Sequence, residues 1–149
     1  MSRVSVLEQV QSDVSAALKA GDRERAGALR VVASELQRAH KDAGGGEADE
    51  VAVLQRERKR RIEAAEAYRE AGRDDLVSNE EREAKLIDAY LPEQLSDEEL
   101  AAIVGDAVAE SGASSPSEMG RVMSMVMPRV QGRADGKRVS ALVKEKLSE

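Results

Sequence analysis

The chain has 149 residues, of which 41% are hydrophobic and 35% charged, and carries a formal net charge of −6. It holds no Cys, Phe or Trp, two Tyr (Tyr68 and Tyr90) and one His (His40). That inventory excludes disulfides, thiol chemistry, cysteine-based zinc sites and any histidine cluster. Strands draw on β-branched and aromatic residues, and valine is the one plentiful member of that set, so the expected fold is all-α. No apolar run approaches the ~18–20 residues that span a bilayer. The opening Met-Ser-Arg-Val-Ser-Val has no signal-peptide h-region. A soluble, cytoplasmic protein with no membrane partner is expected.

A first helix is predicted over residues 4–20 from the three- and four-residue steps of Val6, Leu7, Val10, Val14 and Leu18, with Gly21 as its stop. Asp22 then caps a second helix to about Asp42. Gly44-Gly45-Gly46 breaks it with a loop that is expected to be mobile. A third helix runs from about Ala48 to Ala71. Its expected stripe (Val51, Leu54, Ala65, Tyr68) is interrupted by Arg58 and Arg61 in mid-helix. Their stems either cover core while the heads pair with acids, or they form a basic ridge for phosphates.

Arg73-Asp-Asp-Leu-Val reads as a connector, and a fourth helix is predicted from about Asn79 to Leu91, where Pro92 forces the chain out of the α region. Here the best domain boundary falls: an N-terminal four-helix domain (1–93) and a three-helix tail domain (94–149). Ser96-Asp-Glu-Glu99 is a capping box, and Ser111-Gly112 ends the helix that it opens. Ser115-Pro-Ser-Glu118 is a second, with proline at the first helical position. The helix behind it carries Met119, Val122, Met123 and Val126 on one face and is ended or kinked by Pro128. Gly132 and Gly136 bound a turn, and Asp135 caps the last helix.

Charge is segregated in the tail. Residues 96–120 hold six acids and no bases, and residues 121–146 hold seven bases against two acids, so −6 is followed by +5. Such asymmetry bears on partners rather than fold. Arg121, Arg129, Arg133, Lys137 and Arg138 straddle two helix ends and suit phosphate oxygens; the alternative is a solvated basic face neutralised by the preceding acids. With so few aromatics, stacking on unpaired bases is unavailable, which leaves backbone recognition of structured RNA. Lys59, Arg61 and Arg73 form a second candidate patch. Met119, Gly120, Met123 and Met127 are expected as supporting core, Gly120 allowing close approach of another backbone, while Pro128, Gly132, Asp135 and Gly136 shape the turn. A methionine groove for a partner helix is the alternative. No nucleophile elbow, phosphate loop or metal spacing appears; no cofactor, metal or self-contained catalysis is expected.

Tyr90-Leu-Pro-Glu-Gln-Leu-Ser96, Gly112-Ala-Ser-Ser115, Met119-Gly-Arg-Val-Met123 and Met127-Pro-Arg-Val-Gln-Gly-Arg-Ala-Asp-Gly-Lys137 closely resemble the GatB/YqeY family. Lys59, Arg61 and Ala71-Gly-Arg-Asp-Asp-Leu76 also look like its free-standing members, so the resemblance covers nearly the whole chain. It implies a helical N-terminal domain and a tail similar to that of the B subunit of tRNA-dependent amidotransferases, a tail associated with tRNA binding. The family is linked to carbon–nitrogen ligase activity with glutamine as amido-N-donor. The chain departs from that pattern in having neither the B subunit's catalytic cradle nor a Ser-Ser-Lys amidase arrangement. The resemblance therefore implies a tRNA-binding accessory whose partner is tRNA or a tRNA-handling enzyme; a helical protein-interaction adaptor is the alternative.

Overall fold

The computed structural model describes residues 5–149. The expected helix start at residue 4 and most of the stretch read for a leader lie outside them. Within the described residues seven α-helices follow in order: α1 (Val6–Lys19), α2 (Arg23–Asp42), α3 (Glu50–Glu70), α4 (Asp74–Asp88), α5 (Asp97–Ser111), α6 (Met119–Val130) and α7 (Gly136–Leu147). A 3-10 turn, Pro116–Glu118, leads into α6. Among the described residues there is no strand.

The ends of these helices follow local chemistry. Asp22, Asp49, Ser96 and Asp135 each accept a hydrogen bond from a first-turn N–H of α2, α3, α5 and α7, which satisfies donors that the helix itself leaves open. Both capping boxes are formed, Ser96 with Glu99 and Ser115 with Glu118. Gly21 and Gly112 adopt the left-handed conformation that ends their helices. The start of α4 differs from expectation: Arg73-Asp-Asp-Leu-Val is not a connector but the cap and first turn. Asp74 and Asp75 lie in that first turn, where the helix dipole favours acids, and Val77 is buried. At the other end α4 stops at Asp88, before the Leu91-Pro92 pair.

The chain divides into two compact units between Leu91 and Pro92. In the first, α1 packs chiefly on α2 and α3 chiefly on α4, around Val10, Leu29, Val32, Leu36, Leu54 and Ile87. In the second, α5, α6 and α7 each touch the other two, around Leu100, Val104, Val122, Val126, Val139 and Val143.

Helix α3 has no clean apolar stripe. Three of its arginines turn to α4: Arg58 Nε lies 2.5 Å from Asp88, Arg61 lies 3.4 and 3.1 Å from Glu80 and Glu83, and Arg69 lies 2.5 Å from Glu81. The inward face of α3 even buries a carboxylate, Glu57, which is 2% exposed and accepts from Arg60 at 2.8 Å. Three arginines of α3 thus pair with acids of α4, as one of the two readings of this helix expects.

Candidate nucleic-acid interface

The five tail cations lie along α6, the following turn and the start of α7. Helix α6 runs through Pro128 rather than ending there. The proline sits in the last turn, so its missing N–H removes a single ladder bond near an end that frays anyway. Gln131 (φ 49°) and Gly132 (φ 79°) then turn the chain through the left-handed region. Asp135 Oδ1 accepts from Arg138 N and starts α7.

The guanidinium groups in this segment all have partners. Arg121 donates to Glu118 at 3.0 Å, Arg129 donates to Glu110, and Arg138 donates to Asp97 at 2.7 Å. Glu110 pulls the Arg129 pKa upward. Glu118 is held below the usual carboxylate range by the backbone N–H groups of Ser114 and Ser115. Arg133 does something else: it donates to the carbonyls of Val130 and Arg129, closing the C-terminal end of α6 where partial negative charge collects. Lys137 is exposed and forms no ion pair among the described residues. The acids of α5 and of the turn before α6 thus face the bases of α6 and α7, as the segregation of charge in sequence suggests.

The apolar side of α6 is built by valines. Val122, Val126 and Val130 are fully buried, at four-residue spacing on one face. Met119, Met123 and Met125 only flank that core, and Met127, expected within it, is 39% exposed. At Gly120 a Cβ would have no neighbour within 4 Å, so no backbone of this chain approaches there and packing does not require the glycine. Gly120→Ala is therefore expected to raise stability by about 0.5–1 kcal/mol, read as a shift of the urea midpoint at constant slope; a lower midpoint would reveal a constraint that the structure lacks.

The cations of the second candidate patch each lie beside an acid. Lys59 lies 3.9 Å from Glu63, Arg61 is held between Glu80 and Glu83, and Arg73 lies 3.3 Å from Asp75.

One polar node escapes the sequence reading. The Glu50 carboxylate, at the start of α3, accepts from Val6 N (3.1 Å), Leu7 N (2.9 Å) and His40 Nε2 (3.1 Å). It closes the N-terminus of α1 from more than forty residues away. Burial alone pushes its pKa up, but the bonds from Leu7, His40 and Val6 outweigh this and hold it below the ordinary value. His40, half-exposed, is tied to this carboxylate. Tyr90 is similarly engaged, donating to Asp13; burial and that bond raise its pKa. Among the described residues no three His, Asp or Glu side chains converge as a metal site, and no helix is long and apolar enough to cross a membrane.

The described residues form a helical protein of two compact units, and in the second unit bases face acids of the same unit. The chain belongs to the Yqey-like protein family, whose model matches residues 7–147. It is also similar to "Altered inheritance of mitochondria protein 41, mitochondrial" of Pyrenophora tritici-repentis (strain Pt-1C-BFP), with 27% identity over 145 residues, covering 94% of this chain and 80% of that protein.

Proposed function

We propose that this chain is an RNA-binding accessory protein whose tail contacts tRNA, or a tRNA-handling enzyme, through Arg121, Arg129, Arg133, Lys137 and Arg138. The observation that carries the reading is the segregation of charge, with +5 over residues 121–146 following −6 over residues 96–120. Its support is that these cations sit on side chains open to solvent in whole or in part, and exposed ion pairs are worth at most about 1 kcal/mol, so their carboxylates leave the surface approachable. In this reading residues 1–93 and 94–149 are separate domains, and the second is akin to the tail of the amidotransferase B subunit. The chain acts alongside a carbon–nitrogen ligase rather than as one. The cytoplasm is the proposed compartment; the name of the Pyrenophora relative makes mitochondria the alternative.

Phosphate contacts release counterions, so binding of bulk tRNA in a gel-shift titration is expected at about 50 mM salt and to weaken by at least about tenfold at about 200 mM. Lys137→Ala combined with Arg138→Ala weakens it further. Absence of binding at both salt concentrations, or full binding by the double variant, would sink the reading. A second reading, a helical adaptor that docks on a protein partner, draws on the exposed Met127. It predicts capture of a partner that survives high salt and is lost in a folded Met127→Glu variant.

A further inference from the structure

Seven cations lie between Arg121 and Lys146, and the structure sorts them into two kinds. Arg121, Arg129 and Arg138 face Glu118, Glu110 and Asp97, Lys146 lies 3.2 Å from Glu149, and Arg133 closes α6. Lys137 and Lys144 remain. Both are exposed, and neither forms an ion pair among the described residues. They are seven residues apart on α7, a separation of two turns and about 10 Å that returns to the same face. Ser140 and Ala141, small and uncharged, lie between them on that side.

The distinction matters because of what a phosphate displaces. A phosphate that binds a free ammonium group releases the counterions condensed around it, and affinity then falls with salt. The Arg129–Glu110 pair carries no net charge, so while it is intact it neutralises little phosphate charge and releases few of the counterions condensed on the RNA. We infer that the Lys137–Lys144 face of α7 supplies the electrostatic affinity of the tail for RNA, with Lys144 as a contact residue and the three paired arginines contributing little to salt dependence. This inference rests on the RNA-binding reading above and ranks the residues within it.

The test is the slope of log affinity against log salt for the full-length chain and bulk tRNA, between about 50 and 200 mM. Lys137→Ala with Lys144→Ala removes two counterion-releasing contacts and is expected to flatten the slope by roughly 1.4–1.8. Lys144→Ala alone removes about half of that. The charge-balanced pair Arg129→Gln with Glu110→Gln is expected to change the slope by less than about a third of the lysine effect. Lys19→Ala, an unpaired exposed cation of α1, controls for generic charge. Circular dichroism verifies that each variant is folded. A slope untouched by the lysine pair, or flattened as much by the balanced pair or by Lys19→Ala, overturns the inference while leaving RNA binding intact. No binding by the unmodified chain removes both the inference and the reading beneath it.

Discussion

Leu36→Ala is expected to cost about 4 kcal/mol and Leu100→Ala nearer to about 2, within the range for buried leucines, although both side chains are 0% exposed. The difference lies in the core to which each belongs. The core that holds Leu36 includes Val10, Leu29, Val32 and Leu54, and apart from Tyr90 its margin is aliphatic and free of methionine, with Val6, Leu7, Val14, Leu86 and Leu91. Branched aliphatic side chains have few rotamers and fill a vacated space poorly. The core that holds Leu100 has Met119, Met123 and Met125 at its margin, whose unbranched thioethers fill irregular gaps. Native-state hydrogen exchange reads the two effects separately, in the amides of α1–α4 and of α5–α7. An equal or reversed ranking would show that methionine plasticity does not soften the second core.

Glu50→Gln is expected to lower stability by about 1–2 kcal/mol at pH 7, the usual cost of losing hydrogen bonds to a charged group. The folded carboxyl is more acidic than the unfolded one. Its contribution is therefore complete above the unfolded pKa of about 4.3 and is lost as pH falls through the lower folded value. Urea midpoints of the two proteins should differ at neutral pH and converge near pH 3. A gap that persists at pH 3 would mean that the amide fails by shape, and that charge at the α1 N-terminus is immaterial.

What could be read from sequence was what is settled within four or five residues. Ser96 with Glu99, Ser115 with Glu118, Asp22 and Asp135 announce their helices because donor and acceptor are close in the chain, and tertiary packing does not enter. The start of α4 was missed because Arg73 offers no side-chain cap, and the remaining signal, Asp74 and Asp75, is a dipole preference worth a fraction of a kcal/mol. The valines and methionines of α6 share helical spacing, so only the packing against α5 and α7 decides that Val126 goes in and Met127 stays out. Positions of the tail cations were legible, but their engagements were not. Whether Arg138 meets Asp97, 41 residues away, or solvent depends on how α7 lies on α5. The Glu50 node is hidden for the same reason, since its hydrogen bonds to α1 link residues 43 and 44 apart.

The ion pairs between α3 and α4 have a consequence for how the chain finds its fold. A helix with a clear apolar stripe selects its partner by shape, and sliding by one turn often leaves leucine against leucine. Helix α3 lacks that stripe, and its alignment is written in charge. Sliding α4 by three residues would bring Lys85 to the place where Asp88 meets Arg58, setting like charges opposite each other. Alternative registers of this hairpin are therefore penalised by repulsion as well as by lost contact. A segment poor in large apolar side chains can in this way still specify a single neighbour and a single alignment.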